Sequence, residues 1–371
     1  MLYVLLSYLL SPVFFVLLLQ HKRKAVRNIL VIQTAKIGDL ICSTPVFREI
    51  KKKYPDSHLT AIIDPINKEL LENNFYVNKI LTIKKTDCKG FAGKIRLSNL
   101  IRKGRYDIAI CLNPNVSYAI ALFWGLVPVR LSVMPDFCGL TFKLASVLFT
   151  HLEKHIRGRM VIETYMQMLR KIGVESNDIS KDVYKSEGSD IMVLDLLGSN
   201  DKLLTGIAVS SGNKMKEMEA GKITEIVNKL LDNTGTYIVL IGSGQDKDKA
   251  ERLFESFSRT ERVINAVGQF SLAEIPALLE RLSLFIGVDS GITYMADALS
   301  VPLINVAGPS DMQDQRPTSE CAIIIRNKFP CVPCSHAFKS LYNCKLKTRE
   351  CVAAVSVEEI FSAAKKILLV N

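Results

Sequence analysis

A single carboxylate stands where an apolar run gives way to a helical pattern near the N-terminus. Residues 35–50 read A-K-I-G-D-L-I-C-S-T-P-V-F-R-E-I, which places Asp39 directly after a glycine. The run 29–32 is typical of a buried parallel strand, and the periodicity from Leu40 onward is typical of a helix. Ligands of open α/β sheets bind outside the carboxyl ends of the strands, so Asp39 is placed to act on a substrate. The same carboxylate could instead serve only as a helix cap, and the pattern leaves both roles open.

Three short loops of small residues follow strand patterns in the second half of the chain. They read S-S-G-N-K-M-K (210–216), G-S-G-Q-D (242–246) and G-V-D-S-G-I-T (287–293). Small residues let backbone N–H groups approach a ligand, and a helix N-terminus adds partial positive charge, so such loops suit a diphosphate. Lys216 could hold a phosphate or be an ordinary exposed lysine. The string Asp246-Lys-Asp248 favours helix capping over a metal-bound nucleotide. The residues that we select from the first two loops are Ser211, Gly212, Lys216, Gly244 and Asp246.

Four of the nine cysteines cluster near the C-terminus. Cys331 and Cys334 form a C-x-x-C pair, and Cys344 and Cys351 follow. A tetrahedral thiolate zinc site is one interpretation, with His336 as a substitute ligand, and free thiols are the other. A disulfide framework is disfavoured because we expect the chain on the reducing side of a membrane.

The N-terminal stretch suggests a membrane anchor. Residues 2–19 carry no charge, and their length is close to the span of a hydrocarbon core. A basic cluster without acids follows, namely Lys22, Arg23, Lys24 and Arg27. Such clusters remain cytoplasmic, and the pattern lacks the features of a cleavable signal peptide. We therefore predict an uncleaved anchor helix over 1–21 and a location on the cytoplasmic face of the inner membrane. Pro12 leaves open a bent segment that enters only one leaflet.

The charge of the chain also bears on its partners. The formal net charge is +11, and residues 84–105 hold eight basic residues and one acid. That block suits anionic lipid or a phosphorylated glycan, and a merely solvated face is the alternative. A nucleic-acid partner is disfavoured because no recognition motif and no interleaving of basic and aromatic residues is present.

Alternating strand and helix patterns predict an α/β chain with two parallel sheets, and 371 residues favour two domains with a cleft between them. We expect an N-terminal Rossmann-like domain over 22–185 and a C-terminal Rossmann-like domain over 190–355. The closing helix, 356–371, could pack against either. The predicted strands cover 29–32, 59–63, 80–83, 107–112, 206–210, 236–241, 262–266, 284–287 and 301–306.

Two stretches resemble a known family. They are I-L-V-I-Q-T-A-K-I-G-D-L-I-C-S-T-P-V-F-R-E-I-K-K-K-Y-P and F-I-G-V-D-S-G-I-T-Y-M-A-D-A-L-S-V-P-L-I-N-V-A-G-P-S-D. With the tail P-C-V-P-C, they resemble the bacterial heptosyltransferases of glycosyltransferase family 9. The resemblance implies a GT-B fold with two facing Rossmann-like domains, of which 22–185 is the acceptor domain and 190–355 is the nucleotide-sugar domain. It also implies inverting, metal-independent transfer of a sugar, usually heptose from an ADP-activated donor, to the lipopolysaccharide core or a related glycan.

The resemblance also implies roles for particular residues. Asp39 matches the family's proposed base, and Lys216 matches its phosphate-binding lysine. Asp246 falls where the family often binds the donor's ribose. The acid, hydroxyl and glycine loop of the family corresponds to Asp289, Ser290 and Gly291. Two departures concern the donor. Tyr294, which we also assign to the donor site because its hydroxyl can donate a hydrogen bond, stands where the family frequently has His, and Met218-Glu219 stands where it has Trp-Pro.

The expected partners are a nucleotide-sugar donor, an anionic glycan or glycolipid acceptor and inner-membrane lipid, with no cofactor and no catalytic metal. Two alternatives remain at this point. One is a related enzyme that uses another sugar nucleotide or a protein acceptor. The other is a non-catalytic, membrane-bound scaffold that binds a nucleotide sugar, which retention of Asp39, Lys216 and Asp289 disfavours.

Overall fold

Two compact units, Met1–Ile179 and Ser180–Asn371, make up the chain. The computed structural model describes residues 1–19, 25–198 and 202–370. Each unit is built on one six-stranded sheet in which all the paired strands are parallel. The prediction of an α/β chain with two parallel sheets is therefore confirmed.

The N-terminal unit has the strand order β3-β2-β1-β4-β5-β6. Residues 29–32 of β1 are fully buried, which explains their continuous apolar run. The strands are β1 (Asn28–Gln33), β2 (His58–Ile63), β3 (Lys79–Thr82), β4 (Ile108–Cys111), β5 (Val129–Met134) and β6 (His151–Lys154). The helices are α1 (Leu2–Leu9), α2 (Ser11–Leu19), α3 (Ile37–Ile41), α4 (Thr44–Lys53), α5 (Lys68–Glu72), α6 (Gly90–Gly104), α7 (Val116–Trp124), α8 (Leu140–Ala145) and α9 (Val161–Leu169).

The single anchor helix predicted for the N-terminus is wrong. The segment forms two helices of eight and nine residues, α1 and α2. Pro12 has no N–H to donate to the carbonyl of Tyr8, and the hydroxyl of Ser11 donates to that carbonyl at 2.7 Å. Within 1–19, 25–198 and 202–370, no helix combines the length and apolar character that crossing a membrane requires. The basic residues Lys22, Arg23 and Lys24, like the end of the predicted anchor, lie outside the described residues.

Helix α1 is part of the core of the N-terminal unit. Val4 is fully buried against that core, and the indole Nε1 of Trp124 donates to Ser7 Oγ at 3.0 Å. The hydroxyl of Tyr8 donates to the carbonyl of Leu144 in α8. One face of α1 thus packs against α7 and α8. An anchor helix that protrudes from the domain would not make these contacts.

The packing of α1 predicts a large effect on stability at one apolar residue and almost none at its neighbour. Val4→Asp places an unpaired charge in the core and should lower the free energy of unfolding by about 3 kcal/mol or undock α1. Leu5 is 53% exposed, so Leu5→Asp should change it by less than about 0.5 kcal/mol. Chemical denaturation of both full-length variants measures the difference. Equal effects would mean that α1 does not pack through Val4.

The C-terminal unit has the strand order β12-β11-β10-β7-β8-β9. Its strands are β7 (Leu204–Ala208), β8 (Tyr237–Ile241), β9 (Val263–Asn265), β10 (Leu284–Val288), β11 (Leu303–Ala307) and β12 (Ala322–Arg326). Its helices are α10 (Ser189–Leu197), α11 (Ala220–Asn233), α12 (Lys247–Glu255), α13 (Ile275–Glu280), α14 (Gly291–Ala298), α15 (Glu350–Ala353) and α16 (Val357–Val370). The closing helix, α16, packs in the core of this unit through Ile360, Ala364 and Leu368, so the choice left open by the sequence is resolved.

Candidate functional site

Asp39 is the third residue of α3, immediately beyond the carboxyl end of β1. The backbone N–H of Lys36 donates to Asp39 Oδ2 at 3.2 Å, so the carboxylate caps the helix. The side chain is half-buried rather than enclosed. A carboxylate of this kind can accept a proton from a hydroxyl while the cap hydrogen bond fixes its position. Its role as a base stays a prediction.

Polar groups from distant parts of the N-terminal unit surround this position. Tyr165 in α9 is buried, and its hydroxyl donates to the carbonyl of Leu112 at 2.9 Å. Burial, together with the charge of Asp39, raises the pKa of Tyr165, so this phenol remains protonated at neutral pH. Gln33, the last residue of β1, hydrogen-bonds with Tyr165 as well. The sequence analysis missed Tyr165, because it lies far along the chain in an apolar helix with no motif around it.

The structure brings the three small-residue loops of the C-terminal unit together. They follow β7, β8 and β10, and β7 lies between the other two strands in the sheet. A Cβ added at Gly212 or Gly244 would meet no protein atom within 4 Å, so the space beside both glycines is open. A ligand can therefore approach the backbone closely at both glycines.

Lys216 and Asp289 form an ion pair that joins the loops after β7 and β10. Asp289 is only 5% exposed, and Lys216 Nζ contacts its Oδ2. The hydroxyl of Tyr294 donates to Asp289 Oδ1 at 2.5 Å. Burial favours the neutral acid, but the charge and hydrogen bond of Lys216, with the hydroxyls of Ser310 and Tyr294, lower the pKa of Asp289 overall. The carboxylate is thus ionised and holds the Lys216 ammonium in place.

Ser290 and Gly291 begin the helix that follows Asp289. Ser290 is the N-cap residue of α14, and Gly291 is its first residue. The free N–H groups at a helix N-terminus attract anions, and here they lie next to the Lys216 ammonium. An anionic group bound at this point would therefore meet two sources of positive potential.

Asp246 performs the capping role that the sequence favoured. Its Oδ2 accepts from the backbone N–H of Ser243 at 2.9 Å and from the Ser243 hydroxyl at 2.7 Å. Burial opposes ionisation, but hydrogen bonds from Ser243 and Ser210 lower the pKa of Asp246 overall. Asp246 is half-buried, and Gly244 of the same loop is exposed.

Glu217 is a positioning residue that the sequence analysis missed. Its carboxylate pairs with Lys214 and Lys249, each at 2.6 Å, and accepts the backbone N–H of Ser211 at 3.3 Å. These contacts join the loop after β7 to α12 and fix the segment that carries Lys216. The sequence does contain a signal for Glu217, because it is an acid directly after the candidate phosphate-binding residue Lys216.

Comparison with known proteins adds independent evidence. The profile of glycosyltransferase family 9 (heptosyltransferase) matches residues 94–345. Lipopolysaccharide heptosyltransferase 3 of Escherichia coli is 26% identical over 290 residues, which cover 76% of this chain and 84% of that protein.

Solved structures show the same fold. The family 9 glycosyl transferase from Veillonella parvula has a TM-score of 0.76 at 22% identity, with 94% of this chain and 99% of that chain covered. ADP-heptose lipopolysaccharide heptosyltransferase II of E. coli has a TM-score of 0.73 at 18% identity, with 92% and 98% covered. Because the family profile spans most of its length, the chain belongs to glycosyltransferase family 9, the heptosyltransferase family.

Proposed function

We propose that this heptosyltransferase moves heptose from ADP-heptose to the lipopolysaccharide core or a related surface glycan. The observation that carries the proposal is the Lys216–Asp289 pair, which joins two of the three small-residue loops that follow the neighbouring strands β10, β7 and β8. A diphosphate needs a fixed cation and free N–H groups, and this position offers both. The E. coli relative described as an ADP-heptose enzyme supports the choice of adenine nucleotide and sugar.

The proposed reaction is one displacement with inversion at the anomeric carbon. The acceptor oxygen forms its bond to that carbon while the bond to the donor's phosphate oxygen breaks, and the electron pair leaves with ADP. Asp39 takes the proton of the acceptor hydroxyl, which makes the oxygen a competent nucleophile. One base suffices for a single displacement, in contrast to the carboxylate pairs of glycosidases.

The leaving group is stabilised by protein groups in this mechanism. Lys216 and the N-terminus of α14, with Ser290 and Gly291, face the charge that develops on the diphosphate. We place the diphosphate beside Ser211, Gly212 and Gly244, where the two glycines leave open space, and we assign the donor's ribose to Asp246. Neither a cofactor nor a metal ion takes part in the proposed transfer.

Tyr294 supports a second candidate, a donor other than ADP-heptose. Its hydroxyl donates to Asp289 and, unlike the imidazole frequent in the family, cannot carry a positive charge beside the diphosphate. A different sugar nucleotide would leave the fold and the base unchanged.

A donor screen on the full-length chain tests both candidates. A ligand that binds only the folded state raises the unfolding temperature, so ADP-heptose should stabilise the chain more than GDP- or UDP-sugars. Residues 1–19 should be retained, because α1 contributes to the core. Stabilisation by a GDP- or UDP-sugar instead of ADP-heptose would favour the second candidate and contradict the first.

We further propose that the N-terminal unit binds the cytoplasmic face of the inner membrane from one side. The outward face of α1 and α2 exposes Leu2, Leu5, Leu9, Val13, Phe15 and Val16. Helix α6, part of the basic block 84–105, lies beside this face, where Phe91 stacks on Tyr3 at 6.1 Å. Apolar side chains flanked by exposed lysine and arginine favour the interface of an anionic bilayer.

Vesicle binding tests this interfacial contact. Full-length protein should sediment with vesicles containing anionic phospholipid and much less with zwitterionic vesicles, since the basic block contributes only at a charged surface. The double variant Leu5→Asp and Leu9→Asp should reduce sedimentation at least about tenfold, because two apolar side chains leave the interface. Binding that is unchanged by these substitutions would show that α1 does not contact lipid.

A further inference from the structure

One segment of the C-terminal unit is hydrogen-bonded to the surroundings of both Asp289 and Lys216. It comprises residues 335–349, and we call it the bracing segment. At its beginning, Ser335 pairs with Ser310 in a parallel bridge, and the hydroxyl of Ser310 hydrogen-bonds with the carboxylate of Asp289. The beginning of the segment is therefore tied to the loop that contacts the acid of the ion pair.

The later part of the bracing segment holds the loop that carries Lys216. Asn213 Nδ2 donates to the carbonyl of Leu341 at 2.9 Å, and the side chain of Asn213 lies in a residue that is only 8% exposed. The backbone N–H of Lys216 in turn donates to the carbonyl of Asn213 at 2.9 Å. The turn that ends at Lys216 is thus anchored to the bracing segment through one buried amide.

Arg349, the last residue of the bracing segment, reaches the backbone on both sides of Lys216. Its Nη1 donates to the carbonyl of Lys214 at 2.8 Å and to the carbonyl of Glu217 at 3.4 Å. Its Nη2 lies 3.6 Å from the exposed carboxylate of Glu219. A guanidinium has five N–H donors in a fixed planar arrangement, so one side chain can hold two carbonyls at once.

These contacts are important because the loop has no regular secondary structure of its own. Residues 209–219 contain neither helix nor strand, and Gly212 within them is exposed. Ordering such a loop when a ligand arrives costs conformational entropy and weakens binding, whereas a loop that is already held in place avoids this cost. Hydrogen bonds to the carbonyls beside Lys216 therefore fix its backbone before a ligand binds.

We propose that Arg349 is a positioning residue for donor binding, which fixes the backbone around Lys216 so that the ammonium is in place for the diphosphate. This inference rests on the proposed function and adds a residue to it. Arg349 acts through Lys216 and does not itself contact the donor. Because its side chain is 34% exposed, its substitution should leave the fold intact.

Calorimetric titration of full-length variants with ADP tests this role. Arg349→Gln should weaken ADP binding by about tenfold, because hydrogen bonds from a charged group are lost. Arg349→Lys keeps the charge without the planar fork and should remain about fivefold weaker than wild type. Lys345→Gln removes a charge from an exposed residue of the same segment and should change the affinity by less than about twofold.

Two outcomes of this titration would overturn the inference. Full affinity in Arg349→Lys would mean that the positive charge alone suffices. A loss in Lys345→Gln as large as that in Arg349→Gln would mean that only the net charge of the segment matters.

A double-mutant cycle shows whether Arg349 acts through Lys216. In the Lys216→Ala background, Arg349→Gln should change ADP affinity by less than about twofold, because the ammonium that Arg349 positions is gone. A general loss of structure would weaken binding in both backgrounds. A full tenfold loss in the Lys216→Ala background would therefore contradict the inference.

Hydrogen exchange in the ligand-free protein separates this inference from the proposed function. The backbone amides of residues 212–218 should exchange faster in Arg349→Gln than in wild type or Lys345→Gln, while those of β7 should not change. This measurement needs no nucleotide. Wild-type protein that binds no ADP would contradict the proposed function alone, and unchanged exchange in Arg349→Gln would contradict this inference alone.

Discussion

Asp39→Asn should reduce kcat by about 10²- to 10⁴-fold while the affinity for ADP-heptose stays within about twofold of wild type. The amide cannot take a proton from the acceptor hydroxyl, but its carbonyl oxygen can still accept the N–H of Lys36 that caps α3. The fold and the donor loops of the other unit are therefore left intact. Steady-state kinetics and calorimetric titration of the donor measure the two quantities.

Asp64→Asn is a matched control for this substitution. Asp64 follows β2 at the same edge of the same sheet, and its Oδ1 caps a helical turn by accepting the N–H of Ile66 at 3.2 Å. If capping were all that Asp39 did, both variants would keep their turnover. Turnover of Asp39→Asn equal to that of Asp64→Asn would remove Asp39 from the mechanism and leave it as a cap.

Lys216→Ala should weaken the binding of ADP and ADP-heptose by about 10- to 100-fold, since hydrogen bonds to charged groups contribute about 1.5–3 kcal/mol. It also leaves the carboxylate of Asp289 buried without its main cation. Breaking such a pair lowers the free energy of unfolding by about 3 kcal/mol. Nucleotide titration and chemical denaturation measure the two effects.

The stability loss in Lys216→Ala should depend on pH. In the wild type the pKa of Asp289 is lowered, so the ion pair stabilises the fold above the unfolded pKa and loses this contribution as pH falls through the folded pKa. The difference between wild type and variant should therefore be larger at pH 7 than at pH 4. A difference that grows on acidification would contradict this account of the pair.

Lys214→Ala provides the control for charge and position. Lys214 lies on the same loop, but it is exposed and pairs with Glu217 at 2.6 Å. Its loss removes the same charge and should change nucleotide affinity by less than about threefold, because exposed pairs contribute little. Equal loss of affinity in both variants would mean that only the net charge of the loop matters.

Much of the fold was predictable because its strands are apolar and its turns carry small residues. β1 and β10 were recognised from buried runs bounded by glycine or acid, whereas β5, β6 and β12 were missed. β5 contains a buried arginine, Arg130, whose Nε donates to the carbonyl of Leu148 at 2.7 Å. Such a charged residue interrupts the apolar run by which a buried strand is recognised, and its tertiary partners cannot be read from the sequence.

In the N-terminal segment, composition predicted a structure that is not there, namely one long membrane helix. Its uncharged run matched a membrane span in length, but composition does not reveal which partner an apolar face will find. Val4 and Ser7 are buried by Trp124 and its neighbours, contacts between residues far apart in sequence. The proline at position 12, recognised as a reason for a bend, marks the break between the two helices.

The residues of the site that belong to local motifs were predictable, whereas the residues that contact them from distant parts of the sequence were not. Lys216, Asp246 and Asp289 follow strands directly, so parallel-sheet topology alone places them at one edge. Ser310 and Tyr165, which complete the environments of Asp289 and Asp39, follow from no spacing rule. The spacing of the four C-terminal cysteines favoured free thiols over zinc, and it did not reveal that the fold places all four around one cavity.

The central claim is a single displacement at the anomeric carbon, with one base on the acceptor side. Proton NMR of the product, formed from ADP-heptose of known anomeric configuration, tests it most directly. We expect the new glycosidic linkage to have the configuration opposite to that of the donor in every turnover. A product that retains the donor's configuration would require a second displacement and would contradict the account.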